Sequence, residues 1–526
     1  MDASGKTRFT RRHLLQGSAA VAAISILSGC GSAAPSSTTG TQNGGSTPTN
    51  PQPVPSGSLT VATLAVTATA TGTIGSRFLG IAFDKSTVYS QNYSSANTQL
   101  MGLLALIGPG VLRTGGSDQD TDTWVPTGPG SVQYDIAPAD VNRLATFLAA
   151  TGWQSIYGIN MGGYYSSPAT QTVANAVSEA EYVYNTLGSS LLGIEIGNEP
   201  DLYYEQINTT TGYLANLPNG KNYSVANYES TWITFYNAIV AAVPNIPIIG
   251  PATSGYSSAW TQAFGQYATK SRIGLLTAHY YRDSGLTASD TASWLISYPD
   301  TNLISQASGM QSVAKTVGIP WRMDENNSTY DSNVNVGVSD GFASSLWVLD
   351  DLFTLAQNGA SGVNMFTTNG QGAGNYSPFV YLDPGSGIYA VHPEFYGLVL
   401  FSLAGQGTLY TTALSGIGSL NITAYAIKTA SGGLNLIVVN KNSAQNLQLT
   451  VNLPQSVNTA TLIGMTQLTS GATGPNLNAT SGVMIQGSSI STSGSFTPAT
   501  AYGLSYSGSE VSCYVPYLSA VLIKIT

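Results

Sequence analysis

Between Phe78 and about Gly405 the sequence repeats one alternation eight times, a short apolar run followed by a longer segment of helical period. The runs are FLGIAF (78–83), GVLRTGG (110–116), SIYGINMGG (155–163), LLGIEIGNE (191–199), IPIIGPATS (246–254), GLLTAHYY (274–281), IPWRMDEN (319–326) and SGVNMFTTN (361–369). Runs of this length without strict polar alternation suit strands buried on both faces. Between them, PADVNRLATFLAATG places Pro138 near a helix start and Val141, Leu144, Phe147 and Leu148 on one face. Similar segments cover 223–243, 341–357 and 393–404. Eight βα units in roughly 330 residues predict an α/β fold of the (β/α)8 TIM-barrel type over 74–405. A doubly wound open sheet shares the local pattern and stays as the alternative. None of the runs leads into a GxGxxG or GxxxxGK[ST] turn, and the adjacent glycines of GVLRTGGSDQD are no nucleotide signature by themselves.

The flanks read differently. Beyond Gly405 the helical period stops, and TAYAIKTASGGLNLIVVNK, LQLTVNLP, TATLIGMTQL and YVPYLSAVLIKIT alternate with period two between turn residues. An appended all-β sandwich domain is expected over 406–526, joined by a leading strand at 58–73 (SLTVATLAVTATATGT). At the start, Thr10-Arg11-Arg12-His13-Leu14-Leu15, the apolar run 19–27 and Leu27-Ser28-Gly29-Cys30 resemble a Tat-type export signal joined to a lipobox. Residues 1–29 are then a removable signal peptide, Cys30 a lipidated first residue, and 30–57 a Ser/Thr/Pro/Gly-rich tether. A retained membrane anchor is the competing reading, and the run is shorter than the ~20 residues a span needs. The expected location is the periplasm or the cell surface, or the extracellular space.

Composition removes several function classes. Charged residues are 8% of the chain, and the only cysteines are Cys30 and Cys513, so no disulfide framework or Cys-rich metal site can form. The histidines are His13, His279 and His392, the first inside the leader, which argues against a multi-histidine zinc centre. Loss of 1–29 removes four basic side chains and one acidic one and takes the net charge from -9 to -12, which excludes a nucleic-acid partner. No metal and no cofactor is expected, membrane contact is expected only through the N-terminal lipid, and the protein is expected to be a monomer. Few charges also predict tolerance of acid, because few paired carboxylates exist to be protonated.

The residues that carry chemistry stand where the runs end, which in a βα barrel is the active-site rim. Run four ends Asn198-Glu199-Pro200, run seven Asp324-Glu325-Asn326, run six His279-Tyr280-Tyr281, run two Arg113-Thr114-Gly115-Gly116, and run one leads into Asp84-Lys85. Two glutamates on one rim are what glycoside hydrolysis needs, one to protonate the leaving oxygen and one to attack the anomeric carbon. A neighbouring arginine keeps one carboxyl charged and apolar burial keeps the other neutral; Arg113 is placed for the first task. Each residue has a plainer reading as well: Glu199 as a solvated loop acid, Arg113 as a structural ion-pair partner, His279-Tyr280-Tyr281 as core aromatics. Asp324 competes with Glu325, and strict alternation would point it to the opposite side.

Together LLGIEIGNEPD, AHYYRD, RMDENNSTY, GAGNY and HPEFYGLVLFSLAG resemble glycoside hydrolase family 79, the β-glucuronidase and heparanase family, over about residues 58–526. The NEP element belongs to a wider clan of retaining glycosidases. Gly372-Ala373-Gly374-Asn375-Tyr376 with the downstream HPEFYG narrows the resemblance. It implies Glu199 as general acid/base and Glu325 as nucleophile, with carboxyls about 5–5.5 Å apart. It further implies Asn198 on the sugar 2-hydroxyl, Tyr281, Arg113 and His279 supporting the nucleophile, and Asp84, Gly116 and Ser117 among the substrate contacts. Tyr330 and Tyr376 match the tyrosines that hold a uronate carboxylate. The chain departs from the heparanase-like pattern in having Asp331-Ser332, not glycines, after Tyr330. The expectation is therefore an exo-acting β-glucuronidase whose partner is a carbohydrate with a terminal β-linked uronic acid. A clan hydrolase of neutral β-glycosides, or an inactive lipid-tethered carbohydrate-binding protein, are the alternatives.

Overall fold

The computed structural model describes residues 50–284, 287, 289–330, 336–367, 376–381, 387–468 and 474–526. The leader, Cys30, most of the tether, Asp331-Ser332 and Gly372 to Asn375 lie outside the described residues.

Eight parallel strands close into a barrel: β1 (Leu79–Asp84), β2 (Val111–Gly115), β3 (Gln154–Ile159), β4 (Leu191–Ile196), β5 (Ile248–Thr253), β6 (Leu276–Asp283), β7 (Trp321–Thr329) and β8 (Val363–Thr367). Each matches one apolar run, and β8 pairs with β1 through Val363–Leu79 to Thr367–Phe83, which closes the ring. The open sheet is thereby excluded. Each strand is followed by a helix: α1 (Thr98–Ile107), α2 (Pro138–Thr151), α3 (Val173–Leu187), α4 (Val225–Ala242), α5 (Ala263–Arg272), α6 (Thr301–Val317), α7 (Phe342–Gln357) and α8 (Pro393–Ala404). Local chemistry sets their starts. Asp300 accepts from the amides of Asn302 and Leu303, both at 3.1 Å, and Asp140 accepts from the Ala137 amide at 2.9 Å.

The appended β domain is, among the described residues, one continuous eleven-stranded sheet that curls over its own core. Its inner face curls around a core that includes Leu64, Leu436, Leu449, Val511 and Ile523. The leading strand, Leu59–Ile74, sits inside this sheet, antiparallel to Gly407–Ser415 and parallel to Asn446–Asn452. The docked chain begins ahead of Ser58. Asn50 bonds to Thr500 and Ala501, and Gln52 exchanges hydrogen bonds of 2.7 and 2.8 Å with the Tyr514 backbone. Residues 50–57 are therefore part of the β domain's surface and not tether. A side-chain amide that satisfies both backbone groups of one strand residue explains the capture. Among the described residues no helix is long and apolar enough to cross a membrane.

Helix α7 joins the two domains. It is buried from Phe342 to Ala356, because the barrel covers one side and the sheet the other. Its Asp350 accepts from Thr423 Oγ1 at 2.6 Å and Tyr425 OH at 2.7 Å and pairs with the buried Lys441. Removing one member of such a pair leaves a buried charge unmatched, which costs about 3–5 kcal/mol when burial is complete. Lys441→Met is expected to lower the thermal midpoint by several degrees. Scanning calorimetry with no change in midpoint would show that the ion pair does not hold the domains together.

Candidate active site

Alternation along β4 sends Ile194 and Ile196 to one face and Glu195 to the other, into the barrel. The strand ends at Gly197, with φ of 80°, and Glu199 takes φ 46° and ψ 53°. A non-glycine residue in this left-handed region stores roughly 1–3 kcal/mol, which the surroundings must offset. The Glu199 amide donates to Ala252 O of β5 at 2.9 Å, fixing one end of the turn.

β7 carries a bulge. Its pairing with β6 slips between Met323 and Glu325, so Asp324 and Glu325 both face Arg113. The expectation that Asp324 points away is therefore corrected. Arg113 is fully buried and reaches four partners: Nε to Glu195 Oε2 at 2.9 Å, a terminal nitrogen to Glu325 Oε2 at 2.8 Å, the other to Asn198 Oδ1 at 2.8 Å, and Nε to Asp324 Oδ2 at 3.2 Å. Burial opposes its charge, but the attraction of Glu195, Asp324 and Glu325 outweighs that and holds its pKa above the ordinary value. Burial would also raise the Glu195 carboxyl; Arg113 and a hydrogen bond from Asp324 overcome this and lower it. Asp324 goes the other way, pushed well above the carboxylate range by burial and by the charge on Glu195. Burial and the charge on Glu195 thus favour the neutral form of Asp324. Space for the guanidinium comes from Gly115, where a Cβ would stand 2.4 Å from Arg113 Cζ.

Glu325 is held at both oxygens, by Arg113 and by Tyr281 OH at 2.7 Å. His279 does not join them. Its Nδ1 lies 3.0 Å from Glu199 Oε1 and 3.9 Å from Glu325 Oε2, so it supports Glu199 and is corrected from the nucleophile's side. His279 and Tyr281 share one face of β6, and Tyr281, two residues nearer the rim, takes the Glu325 contact. One donor atom each from Glu199, His279 and Glu325 lies within 4.8 Å of the others. The trio is close enough to share a cation, but Arg113 already supplies the countercharge to Glu325, and the His279–Glu199 spacing is that of a hydrogen bond.

Asp84, Gly116, Ser117, Asn198, Tyr330 and Tyr376 line the same pocket as the two glutamates. Gly116, with φ of 67°, is required because a Cβ there would meet Asp84 Oδ1 at 2.3 Å. Phe366, which sequence reasoning missed, lies beneath Tyr376 with ring centroids 5.9 Å apart, and Tyr281 meets Tyr330 and Tyr376 edge-on. The HPEFYG segment acts from behind. Asn327 donates to the Phe366 carbonyl at 3.1 Å, to the Tyr376 carbonyl, and to Glu394 at 3.4 Å. Burial raises the Glu394 carboxyl well above its usual range. Glu195 and Glu394 were also missed; an acid inside an otherwise apolar run is the signal that could have found the first. Lys85 turns away from the site to a buried pair with Glu179 at 2.7 Å.

No family model matches the sequence, and no curated protein matches it. Solved structures do share the fold. A 4-O-α-L-rhamnosyl-β-D-glucuronidase from Fusarium oxysporum 12S, in complex with Rha-GlcA, superposes with TM-score 0.69 at 18% identity, covering 88% of this chain and 99% of that one. An α-L-arabinofuranosidase from Thermotoga maritima gives 0.61 at 15% identity, covering 88% and 99%. A Paenibacillus polymyxa xyloglucanase of GH family 44 gives 0.58 at 12%, covering 89% and 99%.

Two further acids, half-buried Asp201 and buried Asp351, flank this network. Asp201 accepts from Ser254 Oγ at 2.6 Å, and burial, with Glu199 nearby, pushes its pKa up to about 6. Asp351 accepts from Asn326 Nδ2 at 2.6 Å, and burial pushes it up to about 8. A carboxyl raised by folding stabilises the fold when protonated. That contribution is full below the ordinary value of about 3.9 and is lost as pH rises through the folded value. Thermal midpoints are therefore expected to fall from pH 5 to pH 9, and Asp351→Asn, which retains an acceptor for Asn326, to flatten the upper part of the fall. Parent and variant profiles of equal slope above pH 6 would contradict the assignment to Asp351.

Proposed function

We propose that this chain is a retaining glycoside hydrolase that releases a terminal β-linked glucuronic acid from glycosides or polysaccharides. The observation that carries the reading is the separation of the two rim carboxylates. One oxygen of Glu199 and one of Glu325 lie within 4.8 Å of each other, whereas the carboxyls of inverting pairs stand about 6.5–9.5 Å apart to admit a water. Glu325, with Arg113 and Tyr281 on its oxygens, attacks the anomeric carbon while Glu199 gives its proton to the departing oxygen. The resulting glycosyl ester is hydrolysed by a water that Glu199, now a carboxylate, deprotonates. His279 Nδ1 serves both states, accepting from the acid form and, when it carries the proton, donating to the base form. Asn198 has its carbonyl oxygen held by Arg113, so its amide NH2 is the group available to the sugar 2-hydroxyl.

The uronate half of the proposal is supported by Tyr330 and Tyr376 in the pocket lining, neutral donors that can receive an anion when aimed in advance. One observation favours a neutral β-glycoside instead: the described lining contains Asp84, Glu199 and Glu325 but no lysine or arginine. Export as a lipid-anchored protein through Cys30 belongs to the same proposal.

Paired nitrophenyl β-glucuronide and β-glucoside assays, with the anomer of the first product followed by NMR, test the substrate and the mechanism. The expected results are preference for the glucuronide and release of the β-anomer. Preference for the glucoside overturns the uronate reading, and the α-anomer overturns double displacement. Glu199→Gln and Glu325→Gln are each expected to lose at least about 10²-fold in rate. Parent-like turnover by both would leave a carbohydrate-binding protein or a different centre.

A further inference from the structure

We infer that Asp120 is a positioning residue for Glu199, a buried carboxylate that locks the strained turn carrying the acid/base; the inference rests on the glycoside-hydrolase reading above. Asp120 closes the short helix Ser117–Asp120 that follows β2, and it is buried. Its two oxygens accept four hydrogen bonds. Oδ1 takes the amides of Met161 and Gly162, after β3, at 2.9 and 2.8 Å. Oδ2 takes the Asn198 amide at 3.0 Å and Tyr203 OH at 2.8 Å, on either side of Glu199. One side chain therefore ties the loops after β2, β3 and β4 together, and two of its bonds bracket the residue in the left-handed conformation.

Two glycines make the approach possible. A Cβ on Gly162 would stand 2.7 Å from Asp120 Cβ, and one on Gly197 would stand 2.7 Å from Tyr203 OH. None of the four bonds reaches Tyr281 or Glu325, and Arg113 meets the clamp only through the Asn198 side chain. Loss of the clamp should relax Asn198-Glu199 and move the acid/base from its place while the nucleophile keeps both of its donors. A side chain that only supported the fold would lower every step alike.

The test is the dependence of kcat/KM on leaving group across a series of aryl glycosides of whichever sugar the parent hydrolyses. A departing dinitrophenolate needs no proton; a departing phenol or alcohol does. Glu199→Gln sets the reference for lost acid catalysis. Asp120→Asn offers one acceptor oxygen for four donors. It is expected to lose roughly 10²-fold with poor leaving groups and only a few-fold with dinitrophenyl, parallel to the reference. Tyr203→Phe, which removes one bond and keeps the carboxylate, is expected to show the same trend at smaller size, and it decides the matter if Asp120→Asn does not fold. A uniform loss across leaving groups, or none, in the variant that folds overturns the role of Asp120. A flat series for Glu199→Gln would instead overturn the function on which it rests.

Discussion

One guanidinium organises the inside of this barrel. Arg113 contacts Glu195, Asp324, Glu325 and Asn198 from a position with no exposure to water. Three acids and one base would leave a large uncompensated charge at low dielectric, so one acid must stay protonated. Asp324 is the acid that burial and the charge on Glu195 push toward the neutral form, which leaves Arg113 between Glu195 and Glu325. The bulge in β7 brings Asp324 into this cluster, since strict alternation would point its side chain away.

Space around these groups is made by glycines whose role is not visible as periodicity. Gly115 admits the guanidinium and Gly116 admits Asp84. The pair, no nucleotide signature by itself, is thus a clearance for side chains from β1 and β2. Gly197 does the same for the Tyr203 hydroxyl. Function here is supported as much by atoms left out as by those present.

This explains what was legible in the sequence and what was not. The eight strands were readable because burial on both faces forces short apolar runs, and the rim glutamates because a strand's end in a barrel is its functional end. Glu199, Glu325, Arg113, Tyr281, Asp84 and Asn198 were accordingly found and do come together. The orientation of Asp324 was not legible, because a one-residue bulge breaks the period-two rule that its reading used, and the partner of His279 was not, because the resemblance placed it beside the nucleophile. Phe366 on β8 and Glu394 in the first turn of α8 act from segments distant in sequence from the two glutamates, and no spacing links them to the rim. The junction at Asn50 was missed because polar residues that pair with a strand look the same as polar residues in a tether.

The buried acids also change what the formal charge means. A count of -9 treats every carboxyl as ionised, yet Asp324 and Glu394 are pushed well above the carboxylate range by burial, and Asp351 to about 8. Burial disfavours the charged form of these three groups, which cluster behind β7 and the end of β8. The field that an approaching anion meets is accordingly weaker than the sequence suggests.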